Sequence, residues 1–152
     1  MNWIIKKVDS KDLYPVRNKV LRDNKGYDYC KFDGDDFESS LHFAAFNKIN
    51  IVGGVSLIEN YTKNLEESKV IQLRGMCVYK KYQNNNIGQR LLEKAESISK
   101  ENKYTYLWMN ARKSALNFYV KNGYKNELNS FNIEGVGEHY FLYKNLNKWW
   151  GN

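Results

Sequence analysis

Between residues 69 and 109 the chain reads as strand, turn-rich loop, helix and strand, and this order ties it to the α/β class more firmly than any other stretch. The first of these strands, residues 69–79, carries Ile71 and Leu73 at odd positions and Met76 and Val78 at even ones, with Gly75 between them. A strand of period two changes phase only by taking up an extra residue. A β-bulge or splay is therefore predicted at Gly75 and Met76. Ile87, Leu91, Leu92, Ala95 and Ile98 recur at helical spacing and give an amphipathic helix to about Glu101. Residues 104–109, aromatic and β-branched, form the next strand.

The flanking segments extend the same architecture. Residues 2–8 read as a short strand, after which Asp9 or Ser10 caps a helix with Leu13, Val16, Val20 and Leu21 on one face. Residues 27–40 are acidic and aromatic without a clear period and are expected to be an irregular loop, with room for one helical turn. Runs 41–46 and 51–58, joined by Asn47-Lys48-Ile49-Asn50, look like a hairpin. Ala115, Leu116, Phe118 and Tyr119 define a second helix after the 104–109 strand, closed by Lys121-Asn122-Gly123. Residues 124–132 and 138–146 are expected to be two strands around the turn at 134–137. The sum is a mixed central sheet of about six to seven strands, its N-terminal strands antiparallel, with flanking helices.

A chain of 152 residues, 42% hydrophobic and with a single proline, is the size of one compact domain and shows no linker. The expected division is one domain over residues 1–147 and a short tail over 148–152. No apolar run reaches the ~18 residues of a membrane span, and the N-terminus lacks the apolar core of a signal peptide, so a cytoplasmic protein with no membrane partner is expected. Cys30 and Cys77 have neither CxxC spacing nor a secretory context, which favours reduced thiols over a disulfide, and no metal site is expected. The net charge of +7 admits an anionic ligand. The lysines are scattered and form no arginine-rich stripe, so nucleic acid is not the expected partner.

Residues 78–92 run from strand through an Asn-rich loop directly into a helix. Successive main-chain amides in such a loop, with the open amides and positive dipole end of the helix, make a cradle for phosphate. Within it, Gln83-x-x-Asn86-x-Gly88 is similar to the pyrophosphate loop of the GNAT family of N-acetyltransferases, (Gln or Arg)-x-x-Gly-x-(Gly or Ala). Asn86 replaces the usual glycine, and asparagine is the other residue that best tolerates positive φ. Downstream, Trp108-Met109-Asn110-Ala111-Arg112-x-x-Ala115-x-x-Phe118-Tyr119-x-Lys121-x-Gly123-Tyr124 resembles the later motif of that family, Ala-x-x-Phe-Tyr-x-Lys-x-Gly-Phe. The resemblance covers about residues 69–146.

The resemblance implies acetyl-CoA as co-substrate and an amine, small molecule or peptide, as acceptor. It implies that the pantetheine arm bonds the main chain at Met76, Cys77 and Val78, and that Gln83, Asn84, Asn85, Asn86, Ile87, Gly88 and Gln89 hold the pyrophosphate. Asn110 and Arg112 complete the cofactor contacts, and Tyr119 is the general acid that protonates the departing thiolate. A phenol, ordinarily of pKa near ~10, suits that leaving group. Candidates for general base are His139, His42 and Glu59, with ordered water as a fourth. Cys77 reads as a small buried residue rather than a nucleophile, having no evident base beside it. A catalytically silent acyl-CoA-binding module is the first alternative and a basic nucleic-acid-binding domain the second. Trp149 and Trp150 suggest a homodimer interface.

Overall fold

The computed structural model describes residues 3–66 and 69–147. Seven strands form a mixed sheet in the order β1-β2-β3-β4-β5-β7-β6, with three α-helices among the described residues. Trp149 and Trp150, the expected interface residues, lie outside the described residues. The chain divides into two compact units, one holding residues up to Glu59 together with Leu73–Ile98, the other Asn60–Gln72 and everything from Ser99.

The first unit contains β1 (Ile4–Val8), β2 (Leu41–Asn47), β3 (Asn50–Glu59), most of β4 (Val70–Val78), α1 (Tyr14–Leu21) and most of α2 (Ile87–Glu101). β1 pairs antiparallel with β2 from Ile4↔Phe46 to Val8↔His42, and β2 with β3 from Leu41↔Leu57 to Asn47↔Asn50. The entry to α1 is a 3-10 turn, Ser10–Leu13, where the Asp12 carboxylate accepts the Asp9 N–H at 3.0 Å. Leu13, Val16, Ala44 and Cys77 form a buried cluster, with Val8, Val20, Leu21, Phe46, Ile51 and Tyr79 packed against it. Two glycines of β3 admit the helices. A Cβ on Gly54 would meet the Leu13 side chain at 2.5 Å, and one on Gly53 would meet the Cys77 carbonyl at 2.8 Å and Leu91 at 3.4 Å.

β4 departs from regular strand geometry at Gly75, the position where the sequence changes phase. Gly75 sits at φ +67°, and a Cβ there would lie 2.5 Å from the Phe32 ring. An L-residue pays steric energy in that region and glycine does not.

In the second unit, Val70–Gln72 of β4 pair parallel with Tyr106–Trp108 of β5 (Tyr106–Arg112), and the ladder ends at Gln72↔Trp108, three residues into β4. β5 pairs antiparallel with β7 (Gly137–Asn145) along its whole length, and β6 (Phe131–Ile133) pairs with the start of β7. Leu65, Val70, Trp108 and Phe141 form the buried cluster here, and the Trp108 indole donates to the Asn60 carbonyl at 3.0 Å. α3 (Leu116–Lys121) closes with the Gly123 amide on the Val120 carbonyl and the Tyr124 amide on the Tyr119 carbonyl, a Schellman motif with Gly123 at φ +93°.

Two expected boundaries move. β5 begins at Tyr106 rather than 104 because Tyr104 still belongs to the end of α2. Lys103 is left-handed at φ +67°, and the Tyr104 amide returns to the Ser99 carbonyl at 3.1 Å. The strand expected over 124–132 is confined to Phe131–Ile133, preceded by one isolated bridge, Lys125↔Tyr143. Residues 126–130 are all exposed and mostly polar, so they offer no apolar face that a strand could bury.

Candidate functional site

β4 passes into α2 through a 3-10 turn, Lys80–Tyr82, and residues 83–86. Asn84 (φ +67°) and Asn86 (φ +63°) are both left-handed, the conformation asparagine tolerates best after glycine. The Gln83 side chain donates to the Val78 carbonyl at 3.1 Å, and the Asn85 side chain donates to the carbonyls of Tyr82 (3.1 Å) and Gln83 (3.2 Å). These two side chains thus fix the shape of the loop from within. The first intrahelical bond of α2 runs from the Arg90 amide to the Asn86 carbonyl, so the amides of Ile87 and Gly88 lie ahead of the helical ladder at its positive end. Gln89 sits half-buried in the same turn. No carboxylate occurs between residues 79 and 92, and Lys80 and Lys81 are exposed beside the loop. Left-handed turns, leading amides and cationic neighbours fit a pyrophosphate.

Upstream, Met76 is half-buried, whereas Cys77 and Val78 are buried. The Cys77 side chain packs with Leu13, Val16 and Ala44, in agreement with a small core residue. The Tyr79 amide donates to the Val52 carbonyl at 2.9 Å and ties the strand end to β3. One strand, turn and helix thus bring residues 76–78 and 83–89 together in the first unit.

Asn110, Arg112 and Tyr119 lie in the second unit. Asn110 (exposed) and Arg112 (half-buried) stand opposite Phe141 and His139 in the β5–β7 ladder. Tyr119 is buried in α3, its ring edge-on to Phe118 at 5.0 Å and to Tyr124 at 5.7 Å. The Schellman closure anchors this residue through its own carbonyl, which accepts from both Asn122 and Tyr124.

The base candidates differ in their surroundings. His42 Nε2 faces the Asp35 carbonyl at 3.0 Å and Nδ1 faces the Ser56 hydroxyl at 2.6 Å, so both ring nitrogens are bonded inside the protein. Glu59 is exposed at the end of β3. The buried His139 places Nδ1 2.8 Å from the Gly137 carbonyl. A carbonyl only accepts, so Nδ1 carries the proton and Nε2 is the basic nitrogen.

The irregular segment expected over 27–40 holds a feature that no sequence period announced. It includes one 3-10 turn, Tyr27–Tyr29, and then Asp35, a buried carboxylate whose oxygens lie 2.6 and 3.2 Å from the guanidinium of the equally buried Arg17. The guanidinium also donates to the Cys30 carbonyl (2.8 Å) and the Ser56 hydroxyl (2.8 Å), and Asp35 accepts the Phe32 amide at 2.9 Å. The one available signal was an arginine between Val16 and Val20 on the apolar face of α1.

Similarity to known proteins agrees with this geometry. Residues 9–124 match the model of the acetyltransferase (GNAT) family. The chain is 30% identical over 142 residues to the uncharacterized N-acetyltransferase YitI of Bacillus subtilis strain 168, covering 93% of this chain and 95% of that protein. Among solved structures it resembles an acetyltransferase of the GNAT family from Staphylococcus aureus Mu50 (25% identity, TM-score 0.71, 96% of this chain and 100% of that one). It shares its fold with an aminoglycoside 6'-N-acetyltransferase complexed with coenzyme A (15% identity, TM-score 0.76, 95% and 98% covered). The chain belongs to the acetyltransferase (GNAT) family and is an N-acetyltransferase with acetyl-CoA as its co-substrate.

Proposed function

We propose that the chain acetylates a primary amine, on a small molecule or a peptide, by direct attack of the amine within a ternary complex. The observation that carries this reading is the loop into α2, with two left-handed asparagines and the leading amides of Ile87 and Gly88. When bound, acetyl-CoA supplies an activated thioester carbonyl. The amides of residues 84–89 hold the pyrophosphate, and the main chain of Met76, Cys77 and Val78 holds the pantetheine arm. β4 turns left-handed at Gly75, and one of the amides that follow bonds the carbonyl oxygen as negative charge grows there. Asn110 and Arg112 contribute the remaining cofactor contacts. The new N–C bond forms as the C–S bond breaks. The Tyr119 hydroxyl gives its proton to the leaving sulfur, and the proton of the amine passes to His139 Nε2, Glu59 or water.

The test is amine-dependent thiol release from acetyl-CoA across a panel of alkylamines, amino acids, aminoglycosides and peptides with free N-termini. Release that depends on an amine is the expected result. Tight acetyl-CoA binding with no amine-dependent release from any class would establish a binding module in its place.

A further inference from the structure

The Phe32 ring has three guanidinium groups around it. Arg17 lies 3.9 Å from its centroid, Arg74 4.8 Å and Arg22 5.2 Å. Arg17 is held by Asp35, and Arg22 donates to the carbonyls of Tyr29 and Leu21. Arg74 differs from both. Among the described residues no carboxylate lies within ion-pair distance of its half-buried guanidinium, and stacking on Phe32 is its contact. Burial holds its pKa below the ordinary guanidinium value, with Asp33 and Asp35 opposing that shift and Arg17 and Arg22 adding to it. It stays charged, because guanidinium is not deprotonated in proteins. Beside it, Arg17 Nε is buried without a hydrogen-bond acceptor among the described residues, and a Cβ on Gly75 would lie 3.6 Å from that nitrogen.

A half-buried arginine with its donor fork uncommitted, next to an orphaned guanidinium N–H, is a cationic site short of an anion. We infer that Arg74, stacked on Phe32 beside Arg17, forms a subsite for a carboxylate or phosphate group of the acceptor, so that the amine acetylated belongs to a molecule that also carries such an anion. This rests on the acetyl-transfer reading above. Arg74 stands two residues from Met76, roughly 7 Å along a strand. That spacing places the anion a short aliphatic chain away from an amine poised at the Met76 amide.

The experiment uses matched acceptors that differ only in the anion, 4-aminobutyrate against butylamine and O-phosphoethanolamine against ethanolamine. Each is measured by thiol release and by calorimetric titration of the full chain in saturating coenzyme A. The parent is expected to favour the anionic member of at least one pair by about tenfold to a hundredfold, the range of a charge-assisted hydrogen bond. Which pair responds distinguishes carboxylate from phosphate. Arg74→Gln should remove the preference through KM with the acetyl-CoA dissociation constant unchanged, and Arg74→Lys should retain part of it. Equal binding within both pairs by the parent, or a preference that survives Arg74→Gln, overturns the subsite. Calorimetric preference without thiol release from any amine would uphold the subsite and count against acetyl transfer instead.

Discussion

In the proposed mechanism the Tyr119 hydroxyl is the single atom that separates an enzyme from a binder of acyl-CoA. Its ring is packed against Phe118 and Tyr124, so Tyr119→Phe removes the hydroxyl and leaves the packing in place. If the hydroxyl protonates the leaving sulfur, turnover should fall by about 10²-fold, the lower end of what positioned acid catalysis contributes, because a thiolate already leaves readily. Acetyl-CoA affinity by calorimetry should hardly change. Turnover within twofold of the parent, on a substrate for which chemistry limits the rate, refutes the assignment. Asp35 makes the opposite kind of statement. Asp35→Ala strands the fully buried Arg17 charge and should destabilise the fold by about 3–5 kcal/mol in chemical denaturation. A loss below 1 kcal/mol would mean that water reaches the guanidinium once the carboxylate is gone.

At the level of elements, the loop into α2 invites a direct trial. Gly88→Val puts a branched side chain at the second position of α2, where helical conformation tolerates it but backbone approach by a phosphate does not. The acetyl-CoA dissociation constant should rise at least tenfold with the circular dichroism spectrum unchanged, and an unaltered constant would move the cradle elsewhere. This element was legible because its signals are local. Ile87, Leu91, Leu92, Ala95 and Ile98 mark one helix face, and the change of phase at Gly75 marks the irregular strand. The strand start at Tyr106 was misplaced by two residues because a left-handed lysine, not a glycine, ends α2. Residues 27–40 were opaque for a different reason. Their order comes from a carboxylate that bonds an arginine 18 positions away, and no periodicity encodes such a pairing.

On the scale of the whole molecule, reaction class and acceptor class sit in different kinds of information. The first is carried by short motifs whose backbone geometry follows from neighbouring residues. The second depends on Phe32, Arg17, Arg22 and Arg74, which converge from three separate segments of one unit. The backbone also leaves thermal tolerance unclaimed. Lys103 ends α2 in the left-handed region, and Lys48 turns the β2–β3 hairpin with positive φ at only the first of its two central residues, the type II′ pattern that prefers glycine there. Both Lys103→Gly and Lys48→Gly should stabilise, together by about 1–2 kcal/mol, which for a chain of this length raises the melting temperature by roughly 3–6 °C in scanning calorimetry. No change or a fall would mean that the added freedom of the unfolded chain cancels the relief. A protein of this kind can thus be made hardier by editing its punctuation alone, with every residue of its chemistry left untouched.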